Sequence, residues 1–163
     1  MFGLFKFRQT TLEIQNRSDI QTSQLIQKLR EKFPVEISGI KDGELDTYFP
    51  APQTTTTRRF PTHAEAGDEL QWLSTNELIT SNLQNETMTF RERLEFERMW
   101  FEKTNSHPDR KKTATLCSGS PTPPYNHTLY VCWKDRRLLI QLVCGNSKEK
   151  YLRARKVVPE SRS

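Results

Sequence analysis

The sequence predicts an α+β fold with N-terminal helices and a small C-terminal antiparallel sheet of three to four strands. Two features lead to this prediction. Before residue 104, apolar residues recur at helical spacing in two segments, and from Lys112 onward the period shortens to two and β-branched residues become frequent. The chain has 163 residues, of which 34% are hydrophobic, so it can bury a modest core.

The N-terminal part is predicted to contain an arm, a helix and a short hairpin. Residues 1–17 carry aromatic side chains without a clear period, as in an arm or an edge strand. Ser18 and Gln21 have the spacing of a capping box, which predicts a helix at about 19–33. Asp42-Gly43 is a dipeptide typical of hairpin turns, so two short strands are expected around it.

The middle of the chain combines a predicted linker with further helices. Residues 50–67 are rich in proline and threonine and offer little to bury, as expected of a linker. Ser74 and Glu77 have capping-box spacing at the start of a short helix. The strongest helix is predicted at about 89–103, where another box begins at Thr89 and a wide apolar side should pack against a sheet or another helix.

Four short segments of alternating polarity are expected to form the C-terminal sheet. They lie at 113–117, 128–133, 138–144 and 151–158. The chain then divides into an N-terminal arm, helix and hairpin (1–49), the linker (50–67) and a helix-braced antiparallel β module (68–163). One face of the sheet should be apolar and the other decorated with polar side chains.

Charge is distributed unevenly along the chain. The net charge is +5, but residues 110–163 hold 12 basic against 3 acidic side chains, whereas residues 1–109 hold 13 against 17. Such asymmetry is typical of a protein that binds a partner of opposite charge. Basic residues that only keep the outer face of a sheet in contact with solvent give the same pattern. A basic stripe with interleaved aromatic side chains would suit nucleic acid. Its candidate members are Arg136, Arg137, Lys148, Lys150, Arg153, Arg155 and Lys156, with Tyr130, Trp133 and Tyr151 between them.

The cysteine pattern argues against a metal or redox site. Cys117, Cys132 and Cys144 are widely spaced, form no C-x-x-C, and lie among apolar or β-branched residues. Buried free thiols in a reducing compartment are the first expectation, and one disulfide with one spare thiol is the alternative. We therefore expect no metal ion and no cofactor.

Two tripeptides match parts of known signatures whose remaining parts are missing. His107-Pro108-Asp109 matches the J-domain tripeptide, yet strands rather than another helix are expected after it. His63-Ala64-Glu65 matches half of the zinc deaminase signature, but the P-C-x-x-C half is absent. Phosphate-binding and nucleophile motifs are also missing, and the three histidines are expected at the surface. The sequence therefore predicts a protein that is not an enzyme.

No apolar run approaches the roughly 18–20 residues of a membrane span. Residues 1–8 are too short for the apolar region of a signal peptide. A cytoplasmic or virion-associated protein is expected.

The C-terminal half resembles a group of short bacterial proteins. The charged, aromatic segment 91–101 precedes Leu116-Cys117-Ser118-Gly119-Ser120, then Val131-x-Trp133 and Leu152-Arg153-Ala154-Arg155. This order is similar to an L-C-S-G-S…V-x-W…L-R-[SA]-R module, and several proteins that carry it resemble the variable target proteins of diversity-generating retroelements. A second V-x-W of the pattern is replaced here by Leu142-Val143-Cys144.

The resemblance implies a framework that holds a variable, ligand-binding surface. The expected framework residues are Leu129, Val131, Trp133, Leu139 and Leu142. The candidate contact residues are Tyr125, Asn126, His127, Tyr130, Asp135, Arg136, Gln141, Asn146, Lys148 and Tyr151. The first hypothesis is a binding module for a protein ligand. The alternatives are a basic nucleic-acid-associated protein and a structural subunit of a larger assembly, such as a phage particle.

Overall fold

The computed structural model describes residues 10–120 and 126–160. Within these ranges the helices are α1 (Thr22–Arg30), α2 (Leu45–Tyr48), α3 (Thr75–Thr80) and α4 (Phe90–Thr104). The strands are β1 (Thr11–Asn16), β2 (Val35–Ser38), β3 (Thr56–Pro61), β4 (Ala114–Leu116), β5 (His127–Lys134), β6 (Arg137–Cys144) and β7 (Leu152–Arg153). In the part of the chain so described, no helix is long and apolar enough to cross a bilayer.

The main sheet is mixed and has five strands in the order β2-β6-β5-β4-β7. β5 pairs antiparallel with β4 and β6, as predicted, but β2 runs parallel to β6 and β7 parallel to β4. The prediction of a C-terminal antiparallel sheet of three to four strands is therefore wrong. The strand predicted at 151–158 does join the sheet as β7, but it runs parallel to β4. Only β2 is added, through distant pairs such as Val35 with Leu138, and such pairs leave no mark on local periodicity.

The first helix is shorter than predicted, and its capping box is shifted. Gln21 is the N-cap residue, and its backbone N–H donates to Gln24 Oε1 over 2.8 Å. The box predicted at Ser18 is wrong, because the backbone N–H of Ser18 donates instead to the Thr55 hydroxyl over 3.0 Å. The chain before α1 is thus tied to the segment that leads into β3.

The hairpin predicted around Asp42-Gly43 is also wrong. These residues lie in a 3₁₀ turn, Asp42–Glu44, that continues into α2. Leu45 and Phe49 are both buried in the main core, and the N–H of Phe49 donates to the Leu45 carbonyl over 2.8 Å. One helical turn carries both side chains into the core, so tertiary packing overrides the turn propensity of the dipeptide.

The segment predicted to be a linker contains β3, which pairs antiparallel with β1. Phe60 of this strand is fully buried and packs with Leu12 and Ile14 of β1 in a second core cluster. Arg59 forms a bridge with Val158 near the C-terminal end. Phe60 and the backbone pairing with β1 anchor a strand whose other side chains are mostly exposed.

Three helices cover one face of the main sheet. α4 confirms its prediction, because the capping box of Thr89 and Glu92 is present and Asn105 ends the helix in the left-handed region at φ 52°. The box predicted at Ser74 and Glu77 also starts α3 as expected. The buried residues of the main core come from α1, α2, α4 and the inward side of the sheet; they include Leu25, Ile26, Leu29, Leu45, Phe90, Leu94, Leu129, Val131, Leu138 and Ile140.

Candidate binding surface

The two faces of the main sheet differ in what covers them. Side chains alternate along β5, so Leu129 and Val131 enter the helix-covered core while Tyr130 and Cys132 belong to a separate cluster on the opposite face. None of the described helices contributes a residue to that cluster. We call this opposite side the outer face. Its members are Ala114, Tyr130, Cys132, Leu139, Gln141, Val143, Tyr151 and Leu152.

Two tyrosines and a glutamine meet on the outer face. Tyr130 lies opposite Gln141 in the β5–β6 register, and its hydroxyl donates to Gln141 Oε1 over 2.7 Å. The ring of Tyr151 approaches Tyr130 edge to face at 6.1 Å between centroids and is 43% exposed. Burial raises the pKa of Tyr130 to about 12, so its phenol stays neutral at physiological pH. Three predicted contact residues therefore come together here.

Other predicted contacts gather at the end of β6, beside α3. Asn76 Nδ2 donates to Asn146 Oδ1 over 2.5 Å, and the Lys148 ammonium pairs with Glu77. The N–H of Gly145 donates to the carbonyl of Asn126 over 2.7 Å. The pairs Asn76–Asn146 and Glu77–Lys148 hold α3 against the sheet, so the side chains of Asn146 and Lys148 already have partners within the fold.

The remaining predicted contacts are separated from both groups. Asp135 and Arg136 form the β5–β6 turn at the far end of the hairpin, with φ 52° and 62°. Tyr125 lies outside the described residues. Among the framework predictions, Leu139 is misplaced, because it belongs to the outer face, whereas Leu129 lies in the core.

The predicted basic stripe does not form a continuous surface. Arg155 is 5% exposed and bound to Asp109, Arg153 pairs with Asp68, and Lys148 pairs with Glu77. Arg137 is also paired, with Glu36 at 2.7 Å. The last segment, predicted as a strand at 151–158, is a strand only at Leu152–Arg153.

A different group of basic residues collects at the turn end of the sheet. The N–H of Trp133 donates to the Asp109 carbonyl over 3.1 Å, so the segment 110–112, which lies just before β4, leaves the sheet near the end of β5. We call this group the cationic end; its members are the exposed Arg110, Lys111, Lys112, Lys134, Arg136 and Arg137.

Sequence reasoning missed a buried ion network beneath the sheet. Asp109 accepts from Arg155 Nη2 at 2.7 Å, from Arg93 Nη2 at 3.1 Å, and from the hydroxyls of Thr113 and Thr115 at 2.8 and 2.5 Å. Burial alone would raise the pKa of Asp109, but the charges of Arg155 and Arg93 outweigh it and hold this pKa below its usual value. The tripeptide that matches J-domains is thus part of the core here.

The network extends to His107, so its predicted place at the surface is wrong. Arg93 Nη1 donates to Glu97 Oε2 over 2.7 Å, and His107 Nδ1 lies 2.6 Å from Glu97 Oε1. The side chain of His107 is only 10% exposed, whereas His63 is exposed as expected. Arg93 and Glu97 are four residues apart, a spacing that also occurs in solvated pairs, so the sequence alone does not separate the two cases.

A cavity of about 660 Å³ lies between β3 and the C-terminal segment. Two guanidinium groups in its wall are already bound, Arg58 to Glu92 and Arg155 to Asp109. Apolar side chains such as Val157 supply much of the remaining wall. Because Arg58 and Arg155 are paired with carboxylates, the cavity offers a ligand less positive charge than two unpaired arginines would.

The three cysteines are free thiols in different surroundings. Cys117 and Cys132 are buried, and burial raises their pKa to about 12 and about 11. Cys144 is exposed, so the expectation that all three are buried is wrong for it. Cys144 ends β6, where it lies opposite His127.

Comparison of the chain with known protein families, curated proteins and solved structures finds no match. Among the described residues, no group of three or more His, Cys, Asp or Glu side chains could hold a metal ion.

Proposed function

We propose that this chain is a binding protein and that its partner is another protein seated on the outer face. The observation that carries the proposal is the difference between the two faces of one sheet. Helices pack on one face, while the opposite face holds half-buried Leu139 and Val143 around a tyrosine pair and has no described helix against it. Tyr151 is 43% exposed on this face, and exposed apolar surface of this kind is typical of interaction sites.

The shape and chemistry of the outer face favour a protein over a small molecule. A sheet face is broad rather than concave, whereas small ligands are usually held in clefts. Tyr151, which is 43% exposed, combines contact area with a hydroxyl, and tyrosine is enriched where protein interfaces concentrate their binding energy. The resemblance to variable target proteins supports the same arrangement, a rigid framework beneath a contact surface.

Site-specific photocrosslinking tests this proposal. A photoreactive residue replaces Gln141 on the outer face or, as the matched control, the exposed Gln27 of α1. We expect one protein to be captured reproducibly from Gln141 and not from Gln27. Equal capture from both positions, or capture of only a second copy of this chain, would contradict the proposal.

The captured protein is then purified and its affinity measured with outer-face variants. Val143→Asp and Tyr151→Ala should each weaken binding about tenfold or more, equivalent to about 1.4 kcal/mol. Circular dichroism spectra of the variants should match that of the parent chain. Unchanged affinity in both variants would place the contact elsewhere.

The cationic end supports a second candidate function, binding of single-stranded nucleic acid. The segments 110–112 and 134–137 carry six exposed basic side chains, of which Arg137 is paired with Glu36, and Asp135 is an acidic residue in the turn. Affinity for a labelled oligonucleotide should then fall by orders of magnitude between 50 and 200 mM salt. Replacing 110–112 with glutamines should remove about half of that salt dependence, because three of the six basic side chains are lost, whereas the outer-face variants should leave it unchanged.

A further inference from the structure

The strand register brings a thiol and an imidazole together at the open end of the main sheet. His127 begins β5 and Cys144 ends β6, and the two residues are directly opposite in the antiparallel pair. Lys134 and Arg137 flank the two-residue turn and form a hydrogen-bonded pair. From that pair along the hairpin, non-hydrogen-bonded and hydrogen-bonded pairs alternate. Counting from the turn, His127 and Cys144 form a non-hydrogen-bonded pair.

The backbone contact that follows agrees with this count. The N–H of Gly145 donates to the carbonyl of Asn126 over 2.7 Å, as the next hydrogen-bonded pair requires. In a non-hydrogen-bonded pair the Cβ atoms are about 4.5–5.5 Å apart or closer, and both side chains point to the same face. Cys144 and His127 therefore lie side by side on the same face of the sheet.

The turn after Cys144 is held in place by α3. The N–H of Asn76 donates to the Gly145 carbonyl over 3.0 Å, and Asn76 Nδ2 donates to Asn146 Oδ1. A Cβ at Gly145 would lie 2.5 Å from Asn76 Oδ1 and 2.7 Å from the Asn126 carbonyl, so the turn is closely packed at this position. Cys144 is thus positioned by packed backbone on both sides.

Exposure separates this thiol from the other two. Cys144 is open to solvent, while Cys117 and Cys132 are buried. Burial also raises the pKa of both enclosed thiols, to about 12 and about 11, which keeps them protonated. They act as internal controls, because a reagent in solution reaches Cys144 first.

We propose that Cys144, with His127 as its base, is a site of covalent modification by low-molecular-weight disulfides. The thiol gives its proton to the imidazole, and the resulting thiolate attacks one sulfur of the disulfide. A new S–S bond forms at Cys144 as the old one breaks, and the departing thiolate takes a proton from the imidazolium. The exchange is balanced without a further oxidant. This inference does not depend on the proposed protein partner.

The test measures exchange of the folded chain with oxidised glutathione by intact-mass and peptide mass spectrometry. We expect one mixed disulfide per chain, at Cys144, and none in Cys144→Ser. His127→Gln should slow the exchange at pH 7 on the order of tenfold. His63→Gln, the same change at an exposed histidine away from the sheet, should leave the rate unchanged. Modification of Cys117 or Cys132 at a similar rate, or an unchanged rate in His127→Gln, would overturn the proposal.

A second measurement covers the case in which His127→Gln does not fold. The exchange rate of the unmodified chain is compared at pH 6.5 with that of a synthetic peptide of residues 141–147. The histidine base should make the folded chain faster on the order of tenfold, because the peptide lacks it. Equal rates would show that Cys144 behaves as an ordinary exposed thiol.

Discussion

The imidazole of His107 lies flat against the indole of Trp133, with 3.4 Å between ring centroids and 3° between the planes. His107 also stacks on Phe101 of α4 at 5.0 Å and meets the edge of Phe33 at 4.8 Å. Its Nδ1 atom contacts the buried Glu97. One side chain therefore joins the C-terminal end of α4 to the end of β5.

Replacing His107 should loosen this junction. His107→Ala removes the stacked ring and leaves one oxygen of Glu97 without its ring nitrogen partner, so we expect a loss of about 2–3 kcal/mol in the free energy of unfolding. Urea denaturation followed by tryptophan fluorescence measures it. His63→Ala is the matched control at an exposed position and should change stability by no more than about 0.5 kcal/mol. Equal effects would show that the stack contributes nothing.

Asp109 should be the most sensitive position of the buried network. Asp109→Ala leaves the guanidinium groups of Arg93 and Arg155 buried without a shared carboxylate, which should cost about 3–5 kcal/mol. Asp135→Asn, in the exposed β5–β6 turn where asparagine tolerates a positive φ, should stay within about 0.5 kcal/mol. A small effect of Asp109→Ala would mean that water or nearby groups replace the carboxylate.

Acid should remove the contribution of Asp109. Its pKa is held below the ordinary value of 3.8 in the folded chain, so the folded state binds fewer protons at this site than the unfolded state does. The stabilisation is complete well above pH 3.8 and is lost as the pH falls through the lower, folded-state pKa. The stability gap between the parent chain and Asp109→Asn should therefore narrow from pH 5 toward pH 2. A constant gap would contradict this assignment.

Two glycines should respond in opposite ways to the same substitution. Gly145→Ala puts a methyl group 2.5 Å from Asn76 Oδ1 and 2.7 Å from the Asn126 carbonyl, which should cost about 1–3 kcal/mol. Gly43→Ala meets nothing within 4 Å, so the reduced freedom of the unfolded chain should leave stability unchanged or raise it by up to about 1 kcal/mol. Thermal denaturation of both variants tests the pair, and a neutral Gly145→Ala would contradict the close packing of the turn.

The parts of the fold that local chemistry determines were predictable. The capping boxes at Thr89 and Ser74 start their helices as expected, and the β5–β6 hairpin follows from alternation on both sides of its turn. Asp42-Gly43 has an equally strong local signal, yet the core takes Leu45 and Phe49 on one helical turn instead. Local preference decides only where distant packing does not oppose it.

The candidate surface was predictable in part for the same reason. Tyr130 and Gln141 are both predicted contact residues, and the structure brings them together on one face. The sequence could not show that His107 is enclosed by Phe33, from a distant part of the chain, or that Arg155 is buried against Asp109. Both features depend on contacts between residues that are far apart in the sequence, and local sequence patterns carry no information about such contacts.

Alternation also predicts where a diversified surface would vary. If the resemblance to variable target proteins reflects shared function, sequencing codons 118–158 in many cells of one population should find substitutions at outer-face positions such as Gln141, Val143 and Tyr151. Val131 and Ile140, which lie fully buried against the helices, should be uniform because a change there costs core packing. Substitutions spread equally over both faces would indicate random drift. A uniform segment would leave the outer face as a fixed binding surface for one partner.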